Sequence, residues 1–152
     1  MEFAGKKVLI LGGGVTGSAV AKIIEEVGAK VRVADEKPLP DFVSHPINDL
    51  TNLDYDFAIV SPGWKPSHPL VQALLKANVK LTNEIDLAWH FKGIHCPDQK
   101  WIAITGTNGK TTTTELTAAM LNAAGFSANA CGNVGTTVIE SVFSDKKFEV
   151  LV

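Results

Sequence analysis

A chain of 152 residues, 45% hydrophobic and 20% charged, has the composition of one soluble globular domain or two small ones, with enough apolar side chains to bury a core. A net charge of -2, with Arg32 the one arginine among 14 basic residues, provides neither a basic stripe nor a set of guanidinium forks, so nucleic acid is not an expected partner. No apolar run approaches the roughly 18 residues that a membrane helix needs, and no membrane partner is expected either.

The N-terminal "MEFAGKKVLIL" sets lysines before an apolar stretch, but glycines and Thr16 follow at once without a small-residue cleavage site. It does not read as a signal peptide, and a cytoplasmic protein is expected. Residues 7–11 suit a buried parallel strand, and the glycines after it open a helix with Val20, Ile23, Ile24 and Val27 at helical spacing and Gly28 as its stop. "KVRVAD" is the second strand. "EKPLPDFVSHPINDL", residues 36–50, is rich in proline and polar residues and reads as loop, and "FAIVSPG" is the next strand with its turn. Pro69 suits the first turn of a helix capped by Ser67 or His68. "VKLTNEIDLAWHF" reads as a short strand and a helix capped by Asn83, with Asp86 three residues on.

The glycines after the first strand fit G-x-G-x-x-G as Gly12, Gly14 and Gly17. Gly12 permits a tight turn, Gly14 lets the backbone approach a pyrophosphate, and Gly17 lets helix and strand pack closely, while amides of the first helical turn face the anion. Asp35 closes the second strand, near the roughly 20-residue offset of a ribose-binding carboxylate. The pattern predicts an α/β, Rossmann-like domain with a parallel sheet. A nicotinamide dinucleotide and a nucleoside diphosphate joined to a sugar offer it the same pyrophosphate.

"KGIHCPDQK", residues 92–100, is polar and carries Gly93 and Pro97, which predicts a domain over 1–92, a linker over 93–100 and a second unit over 101–152. That unit opens with the strand "WIAIT" and a helix from about Lys110 to Ala124, with Leu116, Met120 and Ala123 turned inward and Gly125 as stop. "CGNVGTT" reads as a turn and "FEVLV" as the start of a buried strand. Between strand and helix, the loop departs from the P-loop pattern G-x-x-x-x-G-K-[ST], because Ile104 stands where the first glycine belongs and the glycine present is Gly106. Its end is nonetheless suited to phosphate: amides around Asn108 and Gly109 can cradle it, Lys110 can place a charge on it, and Thr111 can offer a hydroxyl to Mg²⁺. Four successive threonines, Thr111 to Thr114, are poor helix formers that propensity alone would not select. Cys96 and Cys131 lack a C-x-x-C partner and read as ordinary thiols, and His90, His95 and Cys96 lack the spacing of a metal site.

"TGTNGKTT" at 105–112 is similar to the ATP loop of the Mur ligase family, and "GGGVTG" at 12–17, "SPG" at 61–63 and "GNVG" at 132–135 match that family in order along the whole chain. The resemblance implies a Rossmann-like UDP-substrate domain followed by the truncated start of a P-loop-type ATPase domain. It implies ATP and Mg²⁺ as cofactors, UDP-N-acetylmuramoyl-L-alanine and D-glutamate as substrates, and amide formation through an acyl phosphate in peptidoglycan synthesis, by a monomer. Gly106, Thr107, Asn108, Gly109, Lys110, Thr111 and Thr112 would then bind ATP, with Lys110 and Thr111 catalytic and Thr111 on the metal. Gly14, Val15, Thr16 and Gly17 would hold the UDP pyrophosphate, and Asp35, Glu36 and Lys37 would border the uracil. Ser61 and Gly63 would line the same cleft, and Asn133 would touch the muramoyl part. Family members often carry threonine and arginine where Glu36 and Lys37 stand, and a lysine lacks the planar fork of arginine.

The resemblance further implies a fragment of a longer ligase, one that binds the UDP substrate without turnover. Two other readings stay open: an NAD-dependent oxidoreductase, which leaves residues 105–112 without a role, and a noncatalytic nucleotide-sugar-binding module. A folylpolyglutamate-synthase-like ligase would share the ATP loop but has no use for the first domain.

Overall fold

The computed structural model describes residues 2–36, 44–46 and 52–152. The chain divides into two compact units, Met1–Leu87 and Ala88–Val152. Both are α/β units built on parallel sheets.

The first unit holds five parallel strands, β1 (Lys7–Leu11), β2 (Lys30–Asp35), β3 (Ser44–Pro46), β4 (Phe57–Val60) and β5 (Lys80–Thr82), in the order β3-β2-β1-β4-β5. A central parallel strand is covered on both faces and so reads as a continuous apolar run, as the fully buried Val8, Leu9, Ile10 and Leu11 of β1 do. Helix α1 (Val15–Glu26) buries Val20, Ile23 and Ile24, the stripe its spacing predicts. Helix α2 (Pro69–Lys76) sets Leu70, Val71 and Leu74 into a core with Leu9, Leu11, Ala34 and Ala58. Its cap is His68, whose Nδ1 accepts from the Leu70 N–H at 3.2 Å. Asn83 caps α3 (Glu84–His95) as expected, its Oδ1 accepting from the Asp86 N–H at 2.9 Å.

The expected loop over 36–50 contains a strand. Residues 44–46 pair in parallel with Val33, Ala34 and Asp35, and a strand of three residues that includes a proline is too short to show periodicity; residues 37–43 and 47–51 lie outside the described residues.

The expected linker over 93–100 also differs. Helix α3 continues through His95, and the division of the chain falls inside that helix. Its later half is held in the second unit by aromatic contacts of Phe91 and His95 with Phe143, at 4.9 and 4.8 Å, and by the Lys92 ammonium donating to the Pro97 carbonyl at 2.7 Å. Polar composition and Gly93 suggested a loop where tertiary contacts sustain a helix.

In the second unit β6 (Lys100–Trp101), β7 (Ala128–Asn129) and β8 (Val150–Leu151) form a parallel sheet in the order β6-β8-β7, with α4 (Lys110–Ala123) and α5 (Val138–Phe143). Its core joins Ala118, Ala128, Val150 and Val152, with Ile104, Leu121 and Ala130 packed against it. The inward face of α4 is therefore not the predicted one: Leu116 is 58% and Met120 72% exposed, Ala123 is exposed, and Thr114 and Ala118 are buried. The sets 114/118/121 and 116/120/123 share the same helical spacing, so periodicity cannot choose between them. Asn122 decides, since its side chain donates to the Ala128 carbonyl and accepts from the Ala128 N–H, both at 3.0 Å, pinning the helix to β7.

Helix α5, which periodicity did not predict, is too short to hold itself together. A capping box starts it: the Thr137 hydroxyl accepts from the Glu140 N–H and the Glu140 carboxylate accepts from the Thr137 N–H. Thr137→Ala should lower stability by about 1 kcal/mol in urea denaturation; an unchanged midpoint would show that burial of Ile139 and Val142 alone fixes the helix.

Candidate functional site

The strand order reverses between β1 and β4, one run continuing to β2 and β3 and the other to β5. At such a reversal the loops leaving two neighbouring strands part, opening a crevice beyond their carboxyl ends. Here the loops after β1 and β4 border a cavity of about 680 Å³. Gly14, Val15, Thr16, Gly17, Asp35, Glu36, Ser61 and Gly63 all line it. Of the other residues expected there, Lys37 lies outside the described residues, and Asn133 belongs to the second unit, where it is exposed.

The three fingerprint glycines are required for different reasons. Gly12 has φ +91, and a Cβ there would sit 2.9 Å from Ser61 Oγ and 3.1 Å from Trp64 Nε1. A Cβ on Gly17 would lie 1.8 Å from the Gly12 carbonyl oxygen, so loop and helix can meet only over a bare Cα. At Gly14 a Cβ would meet no protein atom within 4 Å, and φ is an ordinary -62. Packing does not demand glycine at Gly14, whose backbone is open to the cavity.

Side chains fix the loop around these contacts. The Asp35 carboxylate accepts from the Gly13 N–H at 2.7 Å, a short, charge-assisted bond that ties the loop to the end of β2. Ser18 Oγ donates to the Gly13 carbonyl at 2.8 Å, and Ser61 Oγ to the Gly12 carbonyl at 3.3 Å. Asp35 thus builds the loop as well as lining the cavity. Gly14 caps α1 without any side-chain bond to the first-turn amides, which leaves the positive end of the helix dipole facing the cavity.

The second loop repeats that device. Gly109, at φ 74 and ψ 0, caps α4, again with no side chain on the amides that follow. Among the described helices, α2, α3 and α5 carry a capping side chain, and the two that follow glycine loops do not. Residues 105–112 are exposed, and the Lys110 ammonium folds over the loop, donating to the carbonyls of Gly106 at 2.6 Å and Thr107 at 3.2 Å. Ile104 packs against the core, which accounts for the displaced glycine: that position belongs to the hydrophobic interior and the turn begins later. Among the described residues no group of three His, Cys, Asp or Glu side chains is gathered to hold a metal, and no helix is long and apolar enough to cross a membrane.

The sequence reading missed Trp64 and His68, which also line the first cavity. Their rings meet edge to face at 4.6 Å, and His68 Nε2 is 3.8 Å from the Glu36 carboxylate. The signal available was an aromatic and a histidine directly after "SPG", in a segment read only as turn and helix start.

An open parallel sheet with a glycine loop at its switch point in the first unit, and a glycine loop leading into a helix in the second, define an α/β protein with two helix starts that no side chain caps. Residues 104–148 match the Mur ligase middle domain. The chain is 34% identical, over 99% of its length, to the UDP-N-acetylmuramoylalanine--D-glutamate ligase of Streptomyces coelicolor, and 40% identical over 99% to that of Tropheryma whipplei. It covers 35% and 34% of those two proteins, about a third of the length of the curated relatives it matches. Among solved structures, the UDP-N-acetylmuramate:L-alanyl-gamma-D-glutamyl-meso-diaminopimelate ligase from Neisseria meningitides superposes with a TM-score of 0.55 at 24% identity, over 88% of this chain and 46% of that one, a likeness of fold. The chain is thus similar in sequence to Mur ligases over nearly its whole length.

The glycine contacts lead to a paired expectation. Gly17→Ala should cost about 3 kcal/mol in urea denaturation, because backbone has to move, whereas Gly14→Ala should leave the unfolding midpoint close to that of the parent chain. Equal midpoints for the two variants would contradict the geometry of the loop.

Proposed function

We propose that this chain supplies the nucleotide-sugar site and the ATP loop of an ATP-dependent ligase that adds D-glutamate to UDP-N-acetylmuramoyl-L-alanine in peptidoglycan synthesis, in the cytoplasm. The observation that carries the reading is the pair of glycine-capped helix starts without capping side chains, in a chain whose relatives bear the name of that ligase. An oxidoreductase would leave the second loop without a task.

In this reading the amides of Val15, Thr16 and Gly17 and the Thr16 hydroxyl receive the pyrophosphate, and Lys65 adds positive charge at the cavity wall. Glu36, Ser61 and Gly63 border the nucleoside. The amides that open α4 would hold the ATP phosphates, Lys110 would turn from the Gly106 and Thr107 carbonyls to the transferring phosphoryl group, and Thr111 would offer its hydroxyl to Mg²⁺. The donor set suits that group: an ammonium within reach of loop carbonyls, a left-handed glycine at the cap, and an exposed hydroxyl one residue on. When bound, ATP supplies the phosphoryl group that activates the substrate carboxylate. The chain's own part is to position the phosphates and to offset their developing charge with fixed dipoles and an ammonium. Asn133 is assigned to the muramoyl end of the substrate.

Titration calorimetry tests the first site. UDP-N-acetylmuramoyl-L-alanine should bind more tightly than NAD, and Thr16→Tyr should abolish that binding by filling the approach to the first helical turn. Tighter binding of NAD would sink the assignment. For the second site, Lys110→Ala should weaken Mg-ATP binding by about tenfold or more, the value of a lost hydrogen bond to a charged group. Unchanged ATP affinity would remove Lys110 from the site.

A further inference from the structure

We propose that the open edge of β6 joins two copies of this chain, antiparallel and about a two-fold axis at Trp101. The proposal does not depend on the nucleotide sites, and it departs from the monomer that the family resemblance implies.

The two outer edges of the β6-β8-β7 sheet are finished differently. At β7 the Asn122 side chain donates to the Ala128 carbonyl and accepts from the Ala128 N–H, so the outward groups of that strand are answered within the chain. At β6 the inward groups are held by β8, with the Lys100 N–H donating to the Glu149 carbonyl and the Ile102 N–H to the Leu151 carbonyl, both at 2.8 Å. Backbone direction alternates along a strand, so the N–H and C=O of Trp101, between those two residues, point away from the sheet. Among the described residues no strand pairs with that side of β6. Such an edge is a template for another strand.

A second copy fits because the edge is its own complement. In an antiparallel pair centred on Trp101, each copy donates its Trp101 N–H to the other's Trp101 carbonyl, which uses both outward groups in one isologous contact. In the same register Lys100 of one copy lies directly across from Ile102 of the other, at the closer, non-hydrogen-bonded position. Ile102 is 40% exposed, and lysine methylenes can cover it while the ammonium stays in water. Beside the strand, Trp101, Phe126 and Phe148 line a mostly apolar cavity of about 800 Å³, and Phe126 is half exposed. Exposed apolar surface of this kind marks an interaction face. The charged residues lining the same cavity, Asp98, Lys100, Lys147 and Glu149, are two of each sign, so two copies meet there without net repulsion.

Sedimentation equilibrium on the full chain tests the pairing. The parent should be a reversible dimer that dissociates on dilution. Ile102→Lys sets lysines directly across from each other at two symmetric positions and should weaken the dimer about tenfold. Ile102→Glu meets the same Lys100 with opposite charge and should hold the dimer at least as well as the parent. Adding Lys100→Glu to Ile102→Lys should restore what the single change lost, and that restoration also shows that the substituted chain still folds. A parent that stays monomeric at every concentration overturns the proposal. A dimer that Ile102→Lys and Ile102→Glu weaken alike, or that neither weakens, is not built on this register and overturns it as well.

Discussion

Backbone amides in the first turn of a helix have no partner within the helix, and something must answer them. In this chain α2, α3 and α5 answer with the side chains of His68, Asn83 and Thr137. Helices α1 and α4 begin at Gly14 and Gly109, which have no side chain to give. Both proposed sites rest on that difference. A glycine cap costs the folded chain little, because water can serve an exposed amide, but it keeps the positive end of the helix open to an anion.

The first of these helix starts is held more tightly than the second. Gly17 against the Gly12 carbonyl, Asp35 on the Gly13 amide and Ser61 on the Gly12 carbonyl lock the loop to the ends of β1, β2 and β4. Such a preorganised loop would lose little freedom on binding a ligand, which fits the substrate site proposed for it. The second loop is exposed, and its one long side chain, Lys110, rests on its own carbonyls, partners that the proposed role would have it exchange for phosphate.

Much of the first unit is legible in the sequence because its signals are local. The apolar run of β1, the glycine spacing and the caps at His68 and Asn83 each depend on residues near one another in the chain. The second unit is less legible because its signals are not. Whether α4 turns Thr114 and Ala118 or Leu116 and Met120 inward depends on Asn122 reaching Ala128, and the end of α3 depends on Phe143, far along the chain. Residues 44–46 join the sheet with too few residues to carry a period. Of the first cavity, the backbone part and the carboxylates were readable. Trp64 and His68 were not, since a tryptophan after a turn is as well explained by packing until the cavity is seen.

The central claim, that the two uncapped helix starts receive two different nucleotides, is tested most directly by following backbone amides during titration with each ligand in turn. Nuclear magnetic resonance of the ¹⁵N-labelled chain should show UDP moving the amide signals of Val15, Thr16 and Gly17 while those of Lys110 and Thr111 stay in place. Mg-ATP should do the reverse. Both ligands moving the same set of amides, or neither set responding to either ligand, would contradict the account.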